Sequence, residues 1–120
     1  MSRKHVVSKF DMMSGLSATT TQTSVKTNVE QLDSASIHIK FSAPNTGTLV
    51  VEARNGVYPE HESELNWYEL AFGAPLSLAS ETEAQILLKE MPFSEIRVKW
   101  VPSSGAGTMN AYLSMKVYGA

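Results

Sequence analysis

Thr108-Met109-Asn110-Ala111-Tyr112-Leu113-Ser114-Met115-Lys116-Val117-Tyr118 alternates at every step. Met109, Ala111, Leu113, Met115 and Val117 share one side of an extended chain, and Asn110, Tyr112, Ser114, Lys116 and Tyr118 share the other. That period of two is the pattern of a strand with one face in a core and one face outside. The same period runs through Ala35, Ile37, Ile39 and Phe41 and through Leu49, Val51 and Ala53. The helical periodicity that an α/β fold needs between its strands is missing. The expected fold is therefore all-β, a single antiparallel β-sandwich, jelly-roll-like, with about seven to eight strands. It occupies residues 1–120 as one domain, with residues 1–30 open to reading as an N-terminal arm.

Upstream of this strand, Glu95 to Val101 sets Ile96, Val98 and Trp100 against Arg97, Lys99 and Val101, and Pro102-Ser103-Ser104-Gly105-Ala106-Gly107 turns the chain. Trp67 to Phe72 and Ala84 to Met91 read as two further strands, separated by Gly73-Ala74-Pro75 and by coil or a short turn of helix through Glu83. Ala35 to Ala43 and Thr48 to Arg54 read as a hairpin, because every residue of Pro44-Asn45-Thr46-Gly47 has turn chemistry. His5 to Asp11 is a first strand that Met12-Met13-Ser14-Gly15 breaks, and the Ser/Thr-rich segment from Ser17 to Asn28 is a ragged edge. Adjacent Met12 and Met13 do not both face one core, so one of them reaches a partner unless the turn itself is buried. Trp67 and Trp100 are both expected in the core.

With 120 residues, 42% of them hydrophobic, the chain can bury one core of its own. A formal charge of -2 supplies no cationic field for a phosphate backbone, so nucleic acid is not an expected partner. The absence of cysteine excludes disulfides, thiolate catalysis and cysteine-ligated zinc. Met1 to Lys9 lacks the apolar run of a signal peptide and no stretch has membrane-spanning length, so synthesis in the cytoplasm without membrane insertion is expected.

Catalysis would have to draw on His5, His38 or His61 with Asp11, Asp33 or a glutamate, and no spacing among them supports it. No enzymatic activity and no cofactor are expected. Glu60, His61, Glu62 and Glu64 sit in an acidic loop where alternate carboxylates converge, a weak set for a divalent cation without a glycine-anchored ligand loop. The same loop suits a basic patch on a neighbour. Tyr58, Trp67, Tyr68 and Tyr112 are the aromatic residues from which a sugar-binding platform would be made. The candidate interface is the outward side of the last strand, Asn110, Tyr112, Lys116 and Tyr118, completed by the outward Arg54, Arg97 and Lys99.

Taken in order, Ser36-Ile37-His38-Ile39-Lys40-Phe41, Gly47-Thr48-Leu49-Val50-Val51-Glu52-Ala53, Asn66-Trp67, Met91-Pro92-Phe93, Ile96-Arg97-Val98 and Gly105-Ala106-Gly107-Thr108-Met109-Asn110-Ala111 form a series. It resembles a family of small phage virion structural proteins over the chain from Leu32 to Lys116. The loop between Asn55-Gly56 and Trp67 departs from that pattern in being longer and more acidic. The resemblance implies a virion location on head or tail and no enzymatic activity. Capsid decoration or cement bridging major capsid subunits is the role it implies first, as a homo-oligomer, with a tail or fibre component as the alternative. A carbohydrate-binding module is the reading from another class.

Overall fold

The computed structural model describes residues 5–29, 34–54, 67–69, 76–88 and 94–118, with the side chains of 10–29, 34–54, 67–69, 76–88 and 94–114. Eight strands form among them: β1 (His5–Ser17), β2 (Gln22–Thr23), β3 (Thr27–Asn28), β4 (Ser34–Arg54), β5 (Tyr68–Glu69), β6 (Leu76–Leu88), β7 (Glu95–Ser104) and β8 (Thr108–Tyr118). All are antiparallel, and the chain is the all-β sandwich that its alternation specifies. The strands join in one hydrogen-bonded sheet, ordered β1-β8-β4-β7-β2, that folds over on itself.

The fold turns on β4. Its first half, Ser34–Phe41, pairs with β8, and its second half, Thr46–Arg54, pairs with β7. β6 follows β4 along its other edge from Ala35↔Leu88 to Leu49↔Leu76, through two register shifts. β4 therefore passes from one layer to the other, which is how strands make the corners of a folded sheet. The expected hairpin at Pro44-Asn45-Thr46-Gly47 is overturned, since Ala35–Ala43 and Thr48–Arg54 are two halves of one 21-residue strand. The turn residues bend the strand instead. Buried Asn45 donates from Nδ2 to Ala43 O at 2.9 Å and to Ala106 O at 3.0 Å, and its Oδ1 accepts the Ala106 N–H at 2.7 Å. The β7–β8 connection is thus fastened into the bend, and Ser42 Oγ accepts the Thr108 N–H beside it at 2.9 Å. A Cβ on Gly47 would lie 2.5 Å from Val101 O and 2.8 Å from Pro102 Cα, so the closeness of β7 requires glycine there.

Two further expectations are corrected. β1 runs on through Met12-Met13-Ser14-Gly15, with register shifts between Asp11 and Met13 and between Met13 and Leu16. A bulge gives one strand an extra residue, and here it turns both Met12 and Met13 inward, each 2% exposed, leaving neither for a partner. Leu76 to Glu83 is strand, not coil or helix, with a left-handed Ser80 (φ 54°) whose N–H bonds Thr46 Oγ1 at 2.9 Å. The Ser/Thr-rich segment supplies the ragged edge, as β2 and β3 on β7.

The inward residues of both layers meet in one core: Ile37, Ile39, Leu49, Val51, Ile96, Val98, Met109, Ala111 and Leu113 pack together with Val29, Leu78 and Leu88. Each large aliphatic side chain contributes about 1.5–3 kcal/mol by leaving water. Trp100 is fully buried as expected, tilted against Phe41 with ring centroids 4.9 Å apart, and its Nε1–H donates to Ala18 O at 2.9 Å.

Candidate functional site

Antiparallel register fixes which outward residues become neighbours. In the layer β1-β8-β4-β6, Asp11 stands opposite Tyr112, Tyr112 opposite His38, and His38 opposite Gln85, a single row across four strands. The next row sets Lys40 between Asn110 and Glu83, and the row on the other side sets Ser36 between Ser114 and Leu87. Tyr112 is half-buried within this face, while Leu87 is 61% exposed at its margin. His38 Nε2 contacts Glu83 Oε1, an ion pair when the imidazole is protonated, and Gln85 Nε2 donates to Ser36 Oγ at 2.8 Å. Asn110 is partly committed to the fold, because its Oδ1 accepts the Gly15 N–H at 2.8 Å and holds the bulged part of β1.

Outside the β4–β7 ladder the outward residues alternate in charge. Arg54 faces Glu95 and Glu52 faces Arg97 in register. Arg54 Nε donates to Glu95 Oε1 at 2.8 Å, Arg97 Nε donates to Glu52 Oε1 at 2.7 Å, and Lys26 Nζ lies 3.5 Å from Glu95 Oε2. Both guanidinium carbons rest against Trp67, 4.4 Å (Arg54) and 4.3 Å (Arg97) from the ring centroid. Trp67 is therefore half-buried on the outside of the sandwich, not in the core as its place at a strand start had suggested. The cause is local: β5 is a two-residue strand at the end of β4, and the indole preceding it meets cations held still by their glutamates.

The seven candidate interface residues accordingly divide. Asn110 and Tyr112 lie on the β1-β8-β4-β6 face, where Lys116 and Tyr118 hold the backbone positions opposite Ser34 and His5. Arg54, Arg97 and Lys99 lie on the β7 side, and the first two are already engaged within the chain. Glu60, His61, Glu62, Glu64 and Tyr58 fall outside the described residues, as do the side chains of Lys116 and Tyr118. No group of three or more His, Asp or Glu able to hold a metal occurs among the described residues. Glu83, Glu52 and Glu95 are the partners that sequence reasoning missed. Period-two alternation placed Glu52 and Glu95 outward and left Glu83 in coil or a turn of helix, and only the strand pairing says whom the three face.

No family model and no curated protein sequence matches the chain. Its fold is similar to that of the SPBc2 prophage-derived protein YomS, with a TM-score of 0.65 and 12% identity over 94% of this chain and 95% of that one. It is also similar to a protein of the Bacillus endospore appendages, described as disulfide-linked pili, with a TM-score of 0.52 and 13% identity over 100% of this chain and 93% of that one. A third similar structure is chitosan-binding module 1 of a chitosanase/glucanase from Paenibacillus sp. IK-5, at a TM-score of 0.51 and 10% identity over 92% of this chain and 93% of that one. At these identities the likeness is one of fold. Disulfide linkage has no counterpart here, since the chain has no cysteine.

Proposed function

We propose that the chain is a non-enzymatic structural protein of a phage virion, serving as capsid decoration or cement. The observation that supports this most is the sharing of one complete fold with a prophage-derived protein, over 94% of this chain and 95% of that one. In this reading the β1-β8-β4-β6 face, centred on Tyr112, lies against major capsid subunits, and copies bridge neighbours so that binding free energy opposes rupture of the shell. The half-buried Tyr112 ring supplies apolar area and a phenol, the combination favoured at protein contacts. Co-sedimentation with heads stripped of accessory proteins tests it. Saturable binding that weakens in Tyr112→Ala with Tyr118→Ala, with the fold intact, is the expected result. Absence of binding by the folded protein refutes a head position and leaves a tail or fibre component as the reading to test.

A carbohydrate-binding role is favoured by one observation. Tyr112 stands between Asp11 and His38, with Gln85 beyond, a half-buried aromatic flanked by hydrogen-bonding groups in a fold that a chitosan-binding module also has. A glycan array showing specific binding lost in Tyr112→Ala would promote it. Trp67 is the weaker anchor, because Arg54 and Arg97 already lie against its ring.

A further inference from the structure

We infer that the chain dimerises through the outer edge of β1, two copies pairing antiparallel about a two-fold axis at Ser8. A sheet edge is a template for another strand unless something blocks it. Among the described residues β1 ends the strand order, and its register with β8 is unbroken from His5↔Tyr118 to Asp11↔Tyr112 before the first shift. Past that point the edge is spoiled for pairing, since the chain is bulged and Met12 O already accepts the Val25 N–H at 3.4 Å. The regular stretch is thus the seven residues His5-Val6-Val7-Ser8-Lys9-Phe10-Asp11.

That stretch is complementary to itself. In an isologous antiparallel ladder centred on residue 8, residue 5 stands opposite 11, 6 opposite 10 and 7 opposite 9 of the second copy. His5 then holds the position opposite Asp11 and Val6 the position opposite Phe10, each twice, and all seven residues are used. Phe10 is only partly buried by its own core and Asp11 is exposed, so both have area to give to such a contact. The layer would continue as β6-β4-β8-β1 of one copy joined to β1-β8-β4-β6 of the other, with both Tyr112 faces on the same side.

β6, the other strand bordering this layer, fits less well. Its regular run against β4, Glu83 to Leu88, has an even number of residues. An antiparallel pair about an axis normal to the sheet must be centred on a residue to keep like faces together, so this run does not pair in full with its own copy. Centring it on Gln85 sets Glu83 against Leu87. The β1 dimer stands apart from the virion reading, since either can fail without the other.

Sedimentation velocity of the full chain over a concentration series tests the proposal. Val7→Asp sets an acid opposite Lys9 twice per dimer and tightens the dimerisation constant about fivefold, while Val7→Lys loosens it about fivefold. Adding Lys9→Glu to Val7→Lys restores it. A monomer at every concentration up to the solubility limit overturns the proposal, and so does a dimer whose constant is the same in Val7→Asp and the parent. Should Val7→Lys fail to fold, the Val7→Asp comparison alone decides.

Discussion

Asn45→Ala removes the side chain that fastens the β4 bend to the β7–β8 connection. Three hydrogen bonds go with it, at 2.9, 3.0 and 2.7 Å, two accepted by the carbonyls of Ala43 and Ala106 and one donated by the Ala106 N–H. Asn45 is 1% exposed, so water does not readily replace it, and the backbone groups it served lose their partners. At about 1 kcal/mol for each bond, with orphaning adding to the cost, the loss is about 3 kcal/mol. An unfolding entropy of about 2.1 cal/mol/K per residue converts this to a fall in Tm of about 12 °C for a chain of this length. Calorimetry and urea titration measure it, and amide exchange at Ala106 must accelerate more than exchange in the core strands. The comparison variant is Asn110→Ala, whose amide accepts one exposed bond from Gly15 N–H and which should cost under about 1 kcal/mol. Equal losses in the two variants, or a Tm for Asn45→Ala within about 3 °C of the parent, would refute the claim that this side chain makes the corner.

Gly47→Ala drives a methyl group into the backbone of Val101 and Pro102, neither of which can swing aside, and should cost more than about 2 kcal/mol in chemical denaturation with little change in m. Trp67→Ala frees two guanidinium groups from the indole and should cost about 1–2 kcal/mol. Its fluorescence consequence is that the remaining emission, from fully buried Trp100, becomes blue and insensitive to aqueous quenchers. A parent chain whose two tryptophans are quenched equally would contradict the placement of Trp67.

What was legible in the sequence follows from which interactions are local. Alternation alone gave the inward residues of β4, β7 and β8, because the pleat puts every second side chain on one face whatever the strand pairs with. The bend in β4 was misread because Pro-Asn-Thr-Gly suits a hairpin and a corner equally well. The choice is made by Ala106, 61 residues from Asn45 in sequence. The ion pairs were invisible for the same reason: Arg54 and Glu95 are 41 residues apart, and Glu52 and Arg97 are 45 apart. Trp67 left the core because cations, themselves placed by those pairs, gave it a position outside. Met12 and Met13 broke the alternation rule where a bulge breaks the pleat.

These pairings also decide which outward face is open to a partner. On the β7 side, Arg54 has only 8% of its side chain exposed and its Nε is held by Glu95, while Arg97 is held by Glu52. A protein docking there must either leave those pairs in place, gaining nothing from the cations, or break them and strand a glutamate in a poorly solvated site. The β1-β8-β4-β6 face carries no such debt: its described ion pair, His38 with Glu83, is open to water, with 38% and 54% of the side chains exposed, and contributes little to the fold. A partner can cover it without breaking a buried ion pair among the described residues, and Tyr112 and Leu87 supply apolar area on the same surface. A contact that depends on Tyr112 while tolerating Lys99→Ala is therefore the signature to expect, and binding to virion heads that tracks Lys99 and ignores Tyr112 would place the interface on the opposite layer.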